Sequence, residues 1–263
     1  MLLANKNAVI YGAAGATGSA VARAFAREGA RVFVTGRDIG AVKSLATEIV
    51  ASGGVAEAAT VDALDEGAIE DHLADVVASA QQIDISYNAI GLPQTGLQGI
   101  PLIELPSDSF VLPLATYGRS HFLTARAAAR RMTKQGCGVI MMHTPEPARF
   151  GAALVGGMGP AWSALESFCR SLSAEVGPSG VRVVGLRTTG IPETKTIDLV
   201  FDLHARAVGI TRQQFQGFVE GMTHRKRSTT LAELANAAVF LASKGAASMT
   251  GTVANLTGGI AVD

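Results

Sequence analysis

The chain has 263 residues, enough for one large α/β domain. Apolar residues make up 48% and charged residues 17%, so a large core is available and a disordered chain is excluded. Lys plus Arg and Asp plus Glu both number 22, and this zero balance argues against nucleic acid or an anionic membrane surface as the main partner. The basic run His224-Arg225-Lys226-Arg227 is short and reads as a solvated loop, and Cys137 and Cys169 form neither a disulfide framework nor a metal-ligand spacing. No apolar stretch approaches the length of a bilayer span, and "MLLANKNAVIYG" has no cleavable-signal shape. The expectation is a cytoplasmic protein with two semi-buried thiols and no metal.

Short β-rich runs alternate with helical ones. "NAVIYG" (7–12) is the first predicted strand, followed by a helix to about Glu28. "ARVFVTG" (30–36) precedes a helix to about Ser52, and "GVAEAATVD" (54–62) one to about Ala80. "IDISYNAIG" (83–91) is a fourth strand before a long helix over roughly 108–135. "GVIMMHT" (138–144) leads to a helix around 157–176, and "GVRVVGLR" (180–187) is the sixth strand. "LAELANAAVFLAS" (231–243) is a late helix and "TVANLTG" (252–258) a last strand. Strands apolar on both faces and separated by helices predict a parallel sheet covered on both sides, doubly wound. The rhythm breaks at about 188–230, which marks that segment as the natural substrate cover.

"YGAAGATGSA" sets Gly12, Gly15 and Gly18 between the first strand and the first helix. Glycines there allow a tight turn and let backbone approach a pyrophosphate seated at a helix N-terminus. A site for NAD wants an acid at the end of the second strand; here Gly36 and then Arg37 follow. Arg37 either clasps a 2′-phosphate, which selects NADP(H) over NAD(H), or is a surface cation.

With these residues the chain resembles the short-chain dehydrogenases/reductases over nearly its whole length. The glycine spacing is G-x-x-G-x-x-G, with Tyr11 in place of the Thr that opens the main branch's T-G-x-x-x-G-x-G. Tyr87-Asn88-Ala89-Ile90-Gly91 matches the family's Asn-Asn-Ala-Gly, and Asp62 the acid that meets the adenine amino group. "FCRSLSAEVGPSGVRVV" (168–184) and "MTGTVANLTGG" match its later segments, with Thr257 replacing an Asp. The resemblance implies one Rossmann-type α/β domain of about seven strands over 1–263 and a homodimer or homotetramer, its contacts resembling 122–129 and 161–176. It also implies a cofactor site of Gly12, Gly15, Ala16, Thr17, Gly18, Arg37, Asp62, Ala63, Asn88, Ala89, Ile90, Thr188 and Ile191.

The family's proton chemistry uses a Ser, a Tyr and a Lys, with an Asn supporting a water relay. Aligned on the flanking elements, the Ser position holds Pro145, the Tyr position Met158, the Lys position Trp162 and the Asn position Tyr117. No Y-x-x-x-K occurs: four residues beyond Tyr11, Tyr87 and Tyr117 stand Gly15, Gly91 and His121. Tyr117 and His121 share a helix face and form either a proton-transfer pair or a packing contact. Thr144 can offer a hydroxyl to a carbonyl, or serve structurally. His143 reads as a core histidine, and Glu146 and Arg149 either line the mouth of the cleft or belong to a solvated loop, the preferred reading. Met158 and Trp162 make the site apolar, which suits a hydrophobic ligand, or they close the pocket as core packing. The preferred reading is an atypical NADP(H)-dependent oxidoreductase acting on an apolar carbonyl, alcohol or enoyl compound. The alternative is an inactive dinucleotide-binding homologue that serves as sensor or partner subunit; a non-redox cyclase or isomerase ranks last.

Overall fold

The computed structural model describes residues 1–262. Its described residues form a seven-stranded parallel sheet in the order β3-β2-β1-β4-β5-β6-β7. The strands are β1 (Asn7–Tyr11), β2 (Arg31–Gly36), β3 (Val55–Thr60), β4 (Ile85–Asn88), β5 (Gly138–Pro145), β6 (Val181–Thr188) and β7 (Thr252–Leu256). The helices are α1 (Ala16–Arg27), α2 (Ile39–Ala51), α3 (Glu66–Ala80), α4 (Ser107–Gln135), α5 (Met158–Val176), α6 (Lys195–Ala207), α7 (Arg212–Met222) and α8 (Leu231–Ala242). The seven expected strands and six expected helices are all present, and two further helices, α6 and α7, occupy the segment where the strand–helix rhythm breaks. The expected third, fourth and seventh strands overran, because residues such as Val61, Ala89 and Thr257 already belong to the turns beyond the sheet. Among the described residues no helix is long and apolar enough to cross a membrane.

The pleat explains the two-sided core. On β1, Ala8 and Ile10 join one apolar layer with α1, α2 and α8, while Val9 and Tyr11 join the other with α3, α4 and α5. Burying two full layers is what a 48% apolar composition supports. Strand order reverses at β1, whose neighbours are β2 and β4, and such sheets bind ligands in the crevice at the carboxyl ends there. The break at 188–230 holds α6 and α7, which pack on each other through a small cluster of their own, Val200, Phe201 and Val219. Thr194 caps α6, and a reciprocal capping box between Thr211 and Gln214 starts α7. Cys137 is exposed and Cys169 buried, rather than both half-buried: Cys137 lies in the turn after α4, while Cys169 faces β6 from α5.

Candidate active site

The turn between β1 and α1 is shaped by the absence of side chains. Gly12 has φ +66°, and a Cβ there would lie 2.9 Å from Ala89 O and the Ile90 backbone. A Cβ on Gly18 would lie 2.6 Å from Gly12 O, so α1 can close on the turn only with glycine. The turn is tied to both neighbours: Ala13 N–H donates to Thr35 O and Ala89 N–H to Tyr11 O. Helix α1 follows Gly15, which offers no side-chain cap, and has no acid in its first turn. Its N-terminal N–H groups and positive dipole end are therefore left for an anion. This cradle fits a dinucleotide pyrophosphate.

The other expected cofactor residues sit around it. Arg37 follows β2, is exposed, and makes no hydrogen bond or ion pair among the described residues. Gly36 O accepts from Val61 N–H, which brings the residues after β3, Asp62 and Ala63, beside those after β2. One Asp62 carboxylate oxygen accepts from Leu64 N–H. Asn88 is buried and spends its amide internally: Nδ2 donates to Thr124 Oγ1 and Oδ1 accepts from Ile90 N–H. Its side chain shapes the loop, and the loop's Ala89 and Ile90 face the crevice.

One cavity of about 740 Å³ joins Gly15, Ala16 and Thr17 to a chamber walled by α6 and α7. Tyr117, Pro145, Trp162, Thr188 and Ile191 line it, and Phe201, Phe215, Phe218 and Met222 form its far wall. Met158 is fully buried at the start of α5 and is not among the lining residues. The chamber also holds a polar chain: His204 Nε2 lies 3.1 Å from Gln98 Oε1, and Gln98 Nε2 donates to Gln94 Oε1 at 2.6 Å.

Of the candidate chemical groups, Thr144 and His121 fall on the structural side of the alternatives the sequence left open, while Tyr117 lines the cavity. Thr144 does not line the cavity; its hydroxyl donates to Glu166 Oε1 at 2.9 Å. That carboxylate also takes two hydrogen bonds from Arg187, at 2.7 Å each, in a pair that is 5% exposed on both sides. Tyr117 and His121 are neighbours but not a proton-transfer pair: His121 Nδ1 lies 3.0 Å from the Tyr117 backbone oxygen, not from its hydroxyl. Burial pushes His121 down to about 4, so its ring is neutral. Tyr117 instead presents its phenol to the cavity, where Leu92 N–H and the Trp162 side chain hydrogen-bond its oxygen. Burial raises it to about 12, and these donors pull it back only in part.

For Glu146 the structure favours the mouth-lining alternative over the preferred solvated loop. Rather than solvated, it is 9% exposed in the single turn after β5 and lines the cavity, whereas Arg149 is exposed. Burial raises its carboxyl to about 7, against backbone N–H bonds from Glu146 itself and Gly190 that lower it. Its Oε2 is buried with no hydrogen-bond partner. His143 also lines the cavity, with Nε2 2.9 Å from Thr188 Oγ1 and a ring pushed down to about 4 by burial. The one signal for Glu146 was its position, directly after a strand end in a doubly wound sheet.

Comparison with known proteins places this geometry. The family model described as enoyl-(acyl carrier protein) reductase matches residues 12–261. The chain is 32% identical to the L-rhamnose 1-dehydrogenase (NAD(P)(+)) of Azotobacter vinelandii, over 100% of this chain and 99% of that one. It is 26% identical to a 3-oxoacyl-[acyl-carrier-protein] reductase of Salmonella typhimurium, over 99% of each. A crystal structure of an NAD+-bound xylitol dehydrogenase superposes with a TM-score of 0.91 at 21% identity, covering 98% of this chain and 100% of that one. The chain therefore belongs to the short-chain dehydrogenase/reductase family and is an NAD(P)-dependent oxidoreductase of that type.

Proposed function

We propose that the protein is an NADP(H)-preferring oxidoreductase acting on an apolar carbonyl, alcohol or enoyl compound through a non-standard active site. The observation that carries this reading is the continuous cavity from the glycine turn to the aromatic wall of α6 and α7. Gly12, Gly15, Ala16, Thr17 and Gly18 hold the pyrophosphate, and Asp62 with Ala63 flanks the adenine. Asn88, Ala89, Ile90, Thr188 and Ile191 shape the inner end of the cleft. Arg37, free of any partner among the described residues, pairs with a 2′-phosphate, and no carboxylate stands at Gly36 to repel it. The nicotinamide, when bound, gives or takes the hydride.

The chain's own residues do the rest. Pro145, Met158 and Trp162 stand at the positions of the family's Ser, Tyr and Lys, and none of them can exchange a proton at neutral pH. Tyr117 donates a hydrogen bond to the substrate oxygen, since a phenol held near 12 keeps its proton. The segment 188–230 covers the substrate, and Phe201, Phe215 and Phe218 exclude water and favour an apolar body over a polyhydroxylated one. Exposed Phe122, and Phe110 to Leu112, on α4 support assembly into a homodimer or homotetramer.

Calorimetric titration with NADPH and with NADH tests the cofactor half. NADPH is expected to bind more tightly, and Arg37→Ala to erase roughly tenfold to hundredfold of that preference, the worth of a charge-assisted contact. Equal affinities in the unmodified protein would overturn the NADP(H) reading.

A further inference from the structure

We propose that Glu146 is the proton-transferring group of the site, the carboxyl that protonates the substrate oxygen in reduction and recovers the proton in oxidation. This rests on the oxidoreductase reading of the cavity given above.

Most of the candidate polar groups in and around the cavity are committed to other partners. Thr144 is bound to Glu166, and His121 holds the Tyr117 carbonyl away from the cavity lining. His143 is bound to Thr188. The phenol of Tyr117 is too weak an acid to release its proton readily at neutral pH. Glu146 differs from all of these. It stands at the carboxyl end of β5, beside Pro145, whose register partner on β6 is Thr188. It lines the cavity, one of its oxygens is held by Gly190 N–H, and the other has no hydrogen-bond partner. A buried carboxyl with a vacant oxygen is costly in a core and is placed at a ligand-facing wall.

The surroundings keep this carboxyl protonated near neutrality. The titratable groups that line the cavity with Glu146 are His143 on β5, His204 on α6 and Tyr117 on α4, and the buried Arg187–Glu166 pair joins β6 to α5. Burial keeps His143 neutral and lowers His204, Arg187 is locked to Glu166, and Arg149 in the following loop is exposed. No ion therefore holds the carboxylate form, and burial outweighs the two backbone N–H bonds to bring the group to about 7. In reduction the carbonyl carbon gains the hydride and its oxygen takes the Glu146 proton. The products are an alcohol and a carboxylate, which water then reprotonates. Oxidation runs the same transfers in reverse.

Two measurements test the assignment. Infrared difference spectra of the ligand-free protein against Glu146→Gln are expected to show a protonated-carboxyl band that disappears as pH rises through about 7. Single-turnover oxidation of NADPH by medium-chain ketones and aldehydes is expected to slow at least roughly 100-fold in Glu146→Gln. NADPH affinity should be unchanged, the fall in rate above neutral pH should vanish, and Glu146→Asp should recover part of the rate. A missing band, or a variant with the parent's rate and pH profile, overturns the role of Glu146 alone. An unmodified protein that binds NADPH yet turns over none of these compounds overturns the oxidoreductase reading of the cavity, and the proton role with it.

Discussion

The two ends of the cavity are built on different principles. At the cofactor end the work is done by backbone: glycines that leave room, a helix start without a cap, and strand ends whose N–H groups tie the turn in place. At the substrate end it is done by side chains, and most polar ones are already bonded to each other. A backbone site is specified by a few residues in a row and tolerates no added Cβ. A side-chain site is assembled from β5, α4, α5, β6 and α6, so its members can be exchanged as long as one proton path remains. The proposed non-standard site, with Met158 and Trp162 at the positions of the family's proton donor and lysine, is an exchange of this kind.

The sharpest break in that contrast is expected at the buried ion pair. Glu166→Ala removes the carboxylate shared by Arg187 and Thr144 and should lower the unfolding free energy by about 3–5 kcal/mol. Chemical denaturation reads it, and a change below 1 kcal/mol would show the substrate end to be looser than described. Next in size is a pH effect. The folded protein holds the Glu146 proton up to about 7, against 4.5 for a free carboxyl, so the folded state binds the extra proton between these values. Stability from this group is complete below about 4.5 and is lost as pH rises toward 7. Measured against Glu146→Gln across that window, the parent should lose up to about 3 kcal/mol. A parallel pair of curves would mean that the carboxyl titrates as if in water. At the cofactor end Gly18→Ala drives a Cβ into Gly12 O, and the strain should cost about 1–3 kcal/mol together with most of the NADPH affinity. Tight NADPH binding in that variant would show the turn to be more compliant than its geometry.

What could be read from the residues follows the same division. Strand–helix alternation located the seven strands and the six helices that pack on them, because each strand of the doubly covered sheet is a short apolar run, but it did not resolve α6 and α7, which pack on each other outside that rhythm. The cradle was legible because Gly12, Gly15 and Gly18 carry their physical reason in their spacing. Thr144 was not, since the carboxylate that captures its hydroxyl lies 22 residues away on α5. Lining the mouth was only the second reading for Glu146, because a Pro-Glu-Pro turn looks exposed and nothing local says that α6 and α7 close over that end of the sheet. His121 showed the right helix face, but spacing could not tell that its ring bonds the Tyr117 backbone rather than the phenol.

The most direct test of the central claim is transfer of deuterium from C4-labelled NADPH to apolar ketones, aldehydes and enoyl compounds, read by mass spectrometry beside NADP+ reduction by L-rhamnose, gluconate and xylitol. The account predicts one deuterium in an apolar product and little turnover of the polyols. Turnover of the polyols with no label in any apolar compound would contradict it, as would tight NADPH binding with no transfer at all.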